Sequence, residues 1–334
     1  MKALDRVSQK TILIIGIGGA GCQFISHSVK NSLISDMETI AMDTNAKTFE
    51  RCVYIKKLQL GPTVGRVKGS GGDPEFGKMA AEVSAEEITA LVKGSDTIYI
   101  IVGGGDGTGG AASVVAHIAK LEGVSRVVAF VQLPFKFSGV EQQQKAKTVV
   151  EDLRKVADCV IALPNDMLDG EGIVKSVIVP EGIAVSLGER FVVGNELKEL
   201  SDHSGKANER LMQLVKLDDA IIREKVADPG LARFEQALTS GKDLWVGLGA
   251  GVGNRGGFEA LVRALNSPVI QGKDIQQSEN VLIHMIYGEG GKPFRVEEFS
   301  KMVEGFIGVK KEIRVIQKLE PALGMRIYLS MVGC

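Results

Sequence analysis

Short apolar runs alternate with longer amphipathic stretches through the first half of the chain. The runs have the length and the flanking residues of buried strands, and the stretches between them place apolar residues at helical spacing. We predict strands at Thr11–Ile15, Glu38–Met42, Cys52–Leu58, Thr97–Val102, Arg126–Leu133 and Asp158–Leu163. We predict helices after the first strand through Val29 and at Pro74–Val83, Ser84–Val92, Gly110–Leu121 and Val140–Val156. This alternation predicts an α/β fold with a doubly wound parallel sheet.

The pattern changes near Gly188, where strand signals stop. Residues 188–227 contain no proline and keep apolar residues at helical spacing, which predicts a long helix that ends at Asp228-Pro229-Gly230. A smaller α/β region follows, with predicted strands and helices at Leu244–Gly249, Phe258–Leu265, Asn280–Tyr287, Val296–Ile307, Glu312–Gln317 and Arg326–Val332. We therefore divide the chain into a first domain at 1–187, a central helix with its following loop at 188–230, and a C-terminal α/β domain at 231–334.

Composition and charge exclude several classes of protein. The 334 residues are 44% apolar and 24% charged, which suits a globular chain. Because 40 Lys and Arg residues balance 41 Asp and Glu residues, net charge gives no reason to expect nucleic-acid binding. The chain shows neither a leader nor an apolar run long enough to insert in a membrane. Its four scattered cysteines predict no metal site and no disulfide framework, so we expect a cytoplasmic protein.

Three glycine clusters carry the functional signal. Gly16–Gly21 (GIGGAG) and Gly103–Gly110 (GGGDGTGG) each lie between a predicted strand and a predicted helix. Glycines at such junctions let backbone N–H groups approach phosphate oxygens, and the helix N-terminus favours negative charge. Two such loops at neighbouring strand ends predict a di- or triphosphate site, and Gly69–Gly77 (GSGGDPEFG) is a third loop that can close over it.

Six short motifs in this order resemble those of the FtsZ/tubulin family of polymerising GTPases, and of its prokaryotic FtsZ branch in particular. They are GIGGAG, MDTNA, GSGGDPEFG, GGGDGTGG, LPFKFSG and ALPND. The resemblance runs from about residue 10 to the last predicted strand. It implies a protein that binds GTP or GDP with Mg²⁺, assembles with itself head to tail into filaments, and hydrolyses GTP at the subunit interface. FtsZ proteins usually carry a C-terminal peptide for membrane adaptors. Since this chain stops after its last strand, we expect no adaptor by that route and no direct membrane insertion.

The resemblance also assigns roles to individual residues. It places the first phosphate and sugar contacts at Gly19, Ala20, Gly21, Cys22 and Gln23, and it places Gly71 and Gly72 beside the γ-phosphate. The main phosphate cradle would be formed by Gly105, Asp106, Gly107, Thr108 and Gly109, and Asn165 of ALPND would join the nucleotide site. The segment FVVGNE resembles the FGAAND of the family's central helix, so Phe191 would stack on the base while Asn195 or Glu196 reads its guanine edge.

Several positions depart from the FtsZ pattern. Asp106 replaces the first Thr of GGGTGTG, which places a negative charge close to the phosphates. Ser138 stands where FtsZ has Glu, and Gln142 stands where it has Arg. Asp43 and Asn45 reverse the family's Asn and Asp. These changes indicate a divergent member of the family.

The catalytic loop can be placed in two ways. In the family, acidic residues after the central helix point at the next subunit's nucleotide, in the pattern N-x-D-F-x-D. Counting forward from Asn195 reaches residues 216–221 and makes Asp218 the first acid. Counting backward from the strand at Leu244–Gly249 reaches residues 228–233 and leaves Asp228 as the nearby acid. The break at Pro229-Gly230 favours the second count.

Two other functions remain open beside a slow GTPase activated by self-assembly. One is a pseudo-GTPase whose filaments bind GTP with little hydrolysis, because the usual acidic pair is incomplete in both counts. The other is an oxidoreductase that binds NAD or FAD, which the first glycine cluster and Asp43 would support. The second glycine cluster and the resemblance at 191–196 argue against the oxidoreductase.

Overall fold

Two β-sheets organise the chain, one in each of two units. The computed structural model describes residues 11–34, 37–52, 55–62, 69–169, 203–240, 244–266, 268–271, 274–291, 296–307 and 311–334. The units are Met1–Pro164 and Asn165–Cys334. The predicted boundary at 187/188 and the first part of the predicted central helix lie outside the described residues.

The first unit is built on a six-stranded sheet in which every pair of neighbouring strands is parallel. Its strands are β1 (Ile12–Ile17), β2 (Glu38–Asp43), β3 (Lys56–Gln59), β4 (Thr97–Gly103), β5 (Arg126–Leu133) and β6 (Cys159–Pro164). Its helices are α1 (Gly18–Lys30), α2 (Pro74–Val83), α3 (Ala85–Val92), α4 (Ala111–Leu121) and α5 (Val140–Leu153). The predicted doubly wound parallel sheet is therefore confirmed.

Burial explains why the central strands were readable as continuous apolar runs. All six residues of β1 and all seven of β4 are buried, because a parallel sheet is covered on both faces by its crossover helices. The edge strand β3, with the sequence KKLQ, is mostly exposed. The sheet thus has an apolar centre at β1 and β4 and a polar margin at β3.

The strand order positions the candidate site. The strands lie in the order β3-β2-β1-β4-β5-β6. The first three strands form one half of the sheet, and the connection from β3 to β4 starts the other half on the far side of β1, so the strand order reverses between β1 and β4. These two strands pair directly, with Ile17 opposite Val102. Open parallel sheets bind ligands outside the carboxyl ends of the strands at such a reversal. The glycine clusters that follow β1 and β4 are therefore neighbours at the point where a ligand is expected.

The second unit contains a mixed five-stranded sheet with the order β10-β9-β11-β7-β8. Its elements are α6 (Asn165–Asp169), α7 (His203–Glu224), α8 (Ala232–Ser240), β7 (Trp245–Val252), α9 (Gly256–Asn266), β8 (Pro268–Gln271), β9 (Asn280–Tyr287), α10 (Val296–Ile307), β10 (Glu312–Leu319) and β11 (Arg326–Gly333). The strand β11 lies between β9 and β7 and is antiparallel to both. The last strand in the chain is thus central in its sheet.

The helix α7 is the described part of the predicted central helix. All residues from 211 to 219 are buried, and they include the charged Lys216, Asp218 and Asp219. The ammonium of Lys216 lies 3.3 Å from a carboxylate oxygen of Glu320, which follows β10. A charge removed from water needs such a partner. Within the described ranges, no helix is both long enough and apolar enough to cross a membrane.

Several elements differ from the sequence prediction. The strand expected at Cys52–Leu58 begins only at Lys56, because Cys52 closes a short 3-10 turn that starts at Ala46. The helices α6 and α8 were not predicted, although the buried Phe234 and Leu238 of α8 keep helical spacing after the break at Pro229-Gly230. The edge strand β8 has only four residues and begins with proline, which leaves little pattern to detect.

His284 is a buried, neutral histidine in the second sheet. It lies in β9 opposite Ser330 of β11, it is 2% exposed, and its Nδ1 has no hydrogen-bond partner within the described part of the chain. Burial, followed by the positive charges of Lys216 and Lys318, lowers its pKa from 6.5 to about 3. The folded protein therefore keeps this imidazole neutral at pH values where an unfolded chain protonates it.

We predict that His284 makes the second unit sensitive to acid. Below about pH 6.5 the imidazole of His284 binds a proton in the unfolded chain but not in the folded chain. The free energy of unfolding therefore falls as the pH drops towards 3, by up to about 1.4 kcal/mol per pH unit. The variant His284→Leu removes this loss. The measurement is the urea midpoint at about pH 7.5 and about pH 5, followed by fluorescence of Trp245, the single tryptophan, which lies in the same sheet.

The control for this prediction is His117→Gln, because His117 is exposed on α4 of the first unit. This variant is expected to retain the full acid sensitivity of the unmodified protein. An equal loss of stability on acidification in His284→Leu would contradict the prediction.

Candidate functional site

The loops after β1 and β4 contact each other at the carboxyl ends of these strands. A Cβ atom built on Gly18 would lie 3.4 Å from Cβ of Thr108, and one built on Gly103 would lie 3.1 Å from Cβ of Ala20. Gly18 has φ +72°, a conformation that favours glycine. The first two glycine clusters therefore form one continuous surface.

The third glycine loop packs on the second through backbone atoms. A Cβ on Gly107 would overlap the backbone N of Asp73 and Oγ of Ser70. One on Gly77 would overlap the carbonyl oxygen of Gly107, and one on Gly110 would overlap that of Pro74. The 3-10 turn at Gly107–Gly110 and the start of α2 are thus held at a distance that only glycine permits.

This surface has features of an anion site. The α1 helix and the 3-10 turn before α4 begin without a side-chain cap and without an acidic residue in their first turns. By contrast, the side chain of Asp73 caps α2 by accepting from the backbone N–H of Glu75 at 3.1 Å. Among the residues that the structure describes, no atom lies within 4 Å of where a Cβ on Gly19, in the first turn of α1, would stand. Uncapped N–H groups beside open space are suited to phosphate oxygens.

A buried polar network joins the loops. The hydroxyl groups of Thr44 and Thr108 lie 2.9 Å apart, and Thr108 also donates to Oδ1 of Asp43 at 3.3 Å. The backbone N–H of Ser70 donates to Oγ1 of Thr44 at 3.0 Å, and Oγ of Ser70 lies 3.4 Å from that of Thr108. This network ties the end of β2 to the second and third glycine loops. Sequence reasoning assigned Thr108 but missed Thr44, which lies outside the glycine clusters, and Ser70, which belongs to the third cluster but received no role there.

Asp106 and the buried Asp43 place negative charge close to this surface. Although Asp106 as a whole residue is exposed, its Oδ2 lies 3.4 Å from the position of a Cβ on Gly103. Partial burial of this carboxyl group, together with the nearby charge of Asp43, raises the pKa of Asp106 above its ordinary value. A phosphate bound here needs positive charge between it and these carboxylates.

The assigned residues of the first glycine cluster differ in how far they are exposed. Gly19 and Gln23 are exposed, Ala20 is partly exposed and Gly21 is buried. Cys22 is turned into the core, where its Sγ lies 3.7 Å from the carbonyl oxygen of Met42, and burial raises the pKa of its thiol. A ligand can therefore meet Cys22 only through its backbone.

The remaining assigned glycines lie around the same surface. Gly71 is exposed and Gly72 is partly exposed, and both have positive φ, at +63° and +82°. Gly105 is partly exposed, while Gly107 and Gly109 are buried. Asn165 begins α6 in the second unit and is partly exposed. The three residues assigned to the base, Phe191, Asn195 and Glu196, lie outside the described residues.

The two candidate acids occupy different environments within the second unit. Asp218 lies inside α7, is 1% exposed, and sits six residues before the helix ends at Glu224. Asp228 stands where the chain leaves α7, and its side chain accepts from the backbone N–H of Gly230 at 3.0 Å. Its other oxygen accepts from Nε of Arg314 at 2.8 Å, although the side chain stays 45% exposed. Of the two, Asp228 is the one on a surface turn.

Comparison with known proteins agrees with this geometry. The family model described as "Tubulin/FtsZ family, GTPase domain" matches residues 11–171, which include the three glycine loops. A "Cell division protein FtsZ 1" from Thermococcus kodakarensis is 32% identical, and the match covers 99% of this chain and 82% of the relative.

Solved structures give the same result. An FtsZ dimer from M. jannaschii has a TM-score of 0.69 and 26% identity, with 98% of this chain and 89% of that chain covered. CetZ2 from Haloferax volcanii shares the fold, with a TM-score of 0.63 and 18% identity over 97% of this chain and 92% of its own. The glycine loops lie at the β1–β4 reversal, and an FtsZ relative matches this chain over nearly the whole length of the chain. The chain belongs to the tubulin/FtsZ family of GTPases.

Proposed function

We propose that this protein binds GTP at the β1–β4 site, assembles with itself head to tail into filaments, and hydrolyses GTP slowly where two subunits meet. The observation that carries the proposal is the pair of uncapped glycine turns after β1 and β4, with open space at Gly19. Two N-terminal turns can contact a polyphosphate from two sides, whereas a dinucleotide site uses one such turn.

The carboxylates of Asp43 and Asp106 suit a Mg²⁺ ion bound together with the nucleotide. Mg²⁺ is commonly held by one or two carboxylates and by the phosphates of a substrate. Here Asp106 is exposed beside the phosphate surface and Asp43 is buried behind it against Thr108, and the pKa of Asp106 is raised by partial burial and by the charge of Asp43. A divalent cation would relieve the repulsion between these groups and the phosphates, and it would neutralise charge as the γ-phosphate leaves.

Relatives support self-association. The M. jannaschii structure is described as an FtsZ dimer, and the solved CetZ2 structure is described as a GTPγS-bound protofilament. A head-to-tail contact that does not close into a ring produces a filament. In such a filament an acid from one subunit reaches the nucleotide of the next, and we assign this role to Asp228 in preference to the buried Asp218.

Slow hydrolysis follows from the charges near both halves of the site. Asp106 adds negative charge beside the phosphates, and Asp228 is already engaged by Arg314 and by the backbone of Gly230. An acid that positions a water must give up part of these contacts first. Positioning of the nucleophile and neutralisation of charge are the main contributions to phosphoryl transfer. The pseudo-GTPase is therefore the second candidate function.

The first prediction concerns the space beside Gly19. The variant Gly19→Ala is expected to fold, because its new methyl group meets no atom of the described residues within 4 Å. It is expected to lose GTP affinity by about tenfold or more, because the methyl group occupies the space of the phosphates. Calorimetric titration with GTP measures the loss, and circular dichroism checks the fold.

The control is Ser125→Ala, since Ser125 is exposed and directly precedes β5, so it lies at the end of the strands away from the glycine loops. It is expected to bind GTP like the unmodified protein. Unchanged GTP affinity in Gly19→Ala would place the phosphates elsewhere.

The second prediction concerns the choice of base, and it rests on the sequence resemblance at Glu196. A carboxylate accepts from N1–H and N2–H₂ of guanine, and adenine does not offer this pair. Loss of such a bond to a charged group costs on the order of 2–3 kcal/mol, so Glu196→Ala is expected to weaken GTP binding by about 30- to 150-fold. Glu224→Ala, at the exposed end of α7, is the control and should bind normally. Equal affinity of the unmodified protein for ATP and GTP would refute the assignment.

The third prediction concerns hydrolysis. If an acid acts across the interface, the GTPase rate per subunit rises with protein concentration. The variant Asp228→Asn keeps an oxygen for the bond to Gly230 but loses the charge, and it is expected to lower the assembled rate by about a hundredfold while GTP binding is retained. Phosphate release at increasing protein concentration, with light scattering to record assembly, measures both quantities.

Two variants complete this experiment. Asp274→Asn is the control, because Asp274 caps a 3-10 turn in the same unit just as Asp228 does, by accepting from the backbone N–H of Gln276 at 3.0 Å. Asp218→Asn tests the other placement of the loop. A rate that falls only in Asp218→Asn would assign the role to Asp218, and a fast rate unaffected by either change would mean that the catalytic loop lies elsewhere.

A further inference from the structure

One face of α5 lies directly against the second glycine loop. A Cβ built on Gly104 would lie 2.9 Å from Cβ of Ala146, and one on Gly109 would lie 3.6 Å from Cγ2 of Val149. One on Gly105 would lie 3.7 Å from Cβ of Gln142. Positions 142, 146 and 149 share one helical face. The helix α5 is thus a wall of the phosphate surface, and it includes Gln142, the position where FtsZ has Arg.

Lys145 extends from this wall towards the third glycine loop. Its Nζ lies 3.7 Å from the position that a Cβ on Gly72 would occupy. Gly72 in turn contacts Gly107, since a Cβ on Gly107 would lie 2.7 Å from the carbonyl carbon of Gly72. The ammonium group therefore stands where the second and third glycine loops meet.

The present partner of Lys145 is a surface carboxylate. Its Nζ lies 2.6 Å from Oε1 of Glu141, one helical turn earlier, and the hydrogen bond from Lys145 lowers the pKa of Glu141. The side chain of Glu141 is 81% exposed and that of Lys145 is 23% exposed. An exposed pair of this kind is weak and is screened by salt. A terminal phosphate carries more charge than a carboxylate and can displace Glu141.

Among the charged side chains near the site, Lys145 is the cation that is best placed to meet a phosphate. Asp43 and Asp106 place negative charge at the second glycine loop. Lys78, which also lies near the start of α2, is held by Asp152 at 3.0 Å and by Glu75 at 3.5 Å. Lys145 has only the exposed Glu141 as its ion-pair partner among the described residues.

We propose that Lys145 binds the terminal phosphate of the nucleotide by exchanging Glu141 for it, and so makes the site prefer a nucleoside triphosphate to a diphosphate. This inference rests on the proposed GTP binding and adds the residue that senses the third phosphate. In the diphosphate state Lys145 stays with Glu141. In the triphosphate state it links α5 to the loop at Gly72 through the phosphate.

The test compares affinities for GTPγS and GDP by calorimetric titration. Lys145→Gln is expected to weaken GTPγS binding by about tenfold and GDP binding by less than about twofold. Glu141→Gln removes the competing carboxylate and is expected to strengthen GTPγS binding by about two- to threefold. Lys145→Arg keeps the charge and is expected to keep most of the preference.

The matched control is Lys147→Gln, on the same helix, whose lysine is 67% exposed and pairs with Glu151 at 3.9 Å. It is expected to leave both affinities unchanged. If Lys145→Gln weakens GTPγS and GDP equally, or weakens neither, the inference is overturned while GTP binding stands. If the unmodified protein binds neither nucleotide, the proposed function fails and the inference fails with it.

Discussion

The backbone contact between the start of α2 and the glycine turn after β4 is the constraint on which the rest of the site depends. Gly77, Gly107 and Gly110 each stand where a Cβ would overlap a backbone atom of the facing segment. Since backbone atoms cannot move aside as a flexible side chain can, this approach fixes the distance between the two loops. The hydroxyl network from Asp43 to Ser70 and the position of Gly72 beside Lys145 both follow from that distance.

The site contains charged side chains of both signs. The carboxylates of Asp43 and Asp106 lie at the second glycine loop, and the ammonium of Lys145 lies beside Gly72 of the third. A polyphosphate bound here is attracted by the ammonium and repelled by the carboxylates unless a cation intervenes. This combination distinguishes the chain from a site lined only by backbone N–H groups. It would let both the number of phosphates and the supply of divalent cations influence affinity.

The sequence predicted the parts of the fold that burial makes uniform. β1 and β4 are buried throughout and were visible as apolar runs, and Pro74 with Asp73 marked the start of α2 correctly. β8 was missed because a four-residue edge strand led by proline leaves little pattern to detect. α8 was missed because it lies directly after the break at Pro229-Gly230, although its buried Phe234 and Leu238 keep helical spacing. In the site, the glycine loops could be predicted from their motifs. The inward turn of Cys22 and the reach of Lys145 could not, since both depend on how neighbouring elements pack.

The central place of β11 imposes an order on how the second sheet is made during translation. β7 and β8 pair with each other, as do β9 and β10, but only β11 joins the two pairs. Until the ribosome has released residues 326–333, apolar edges of β7 and β9 have no partner strand, and such edges invite association with other chains. The first sheet is complete in sequence by Pro164. During translation all strands of the parallel sheet are therefore available while the second sheet still lacks β11. In this interval the unpaired edges of β7 and β9 are most exposed to association with other chains.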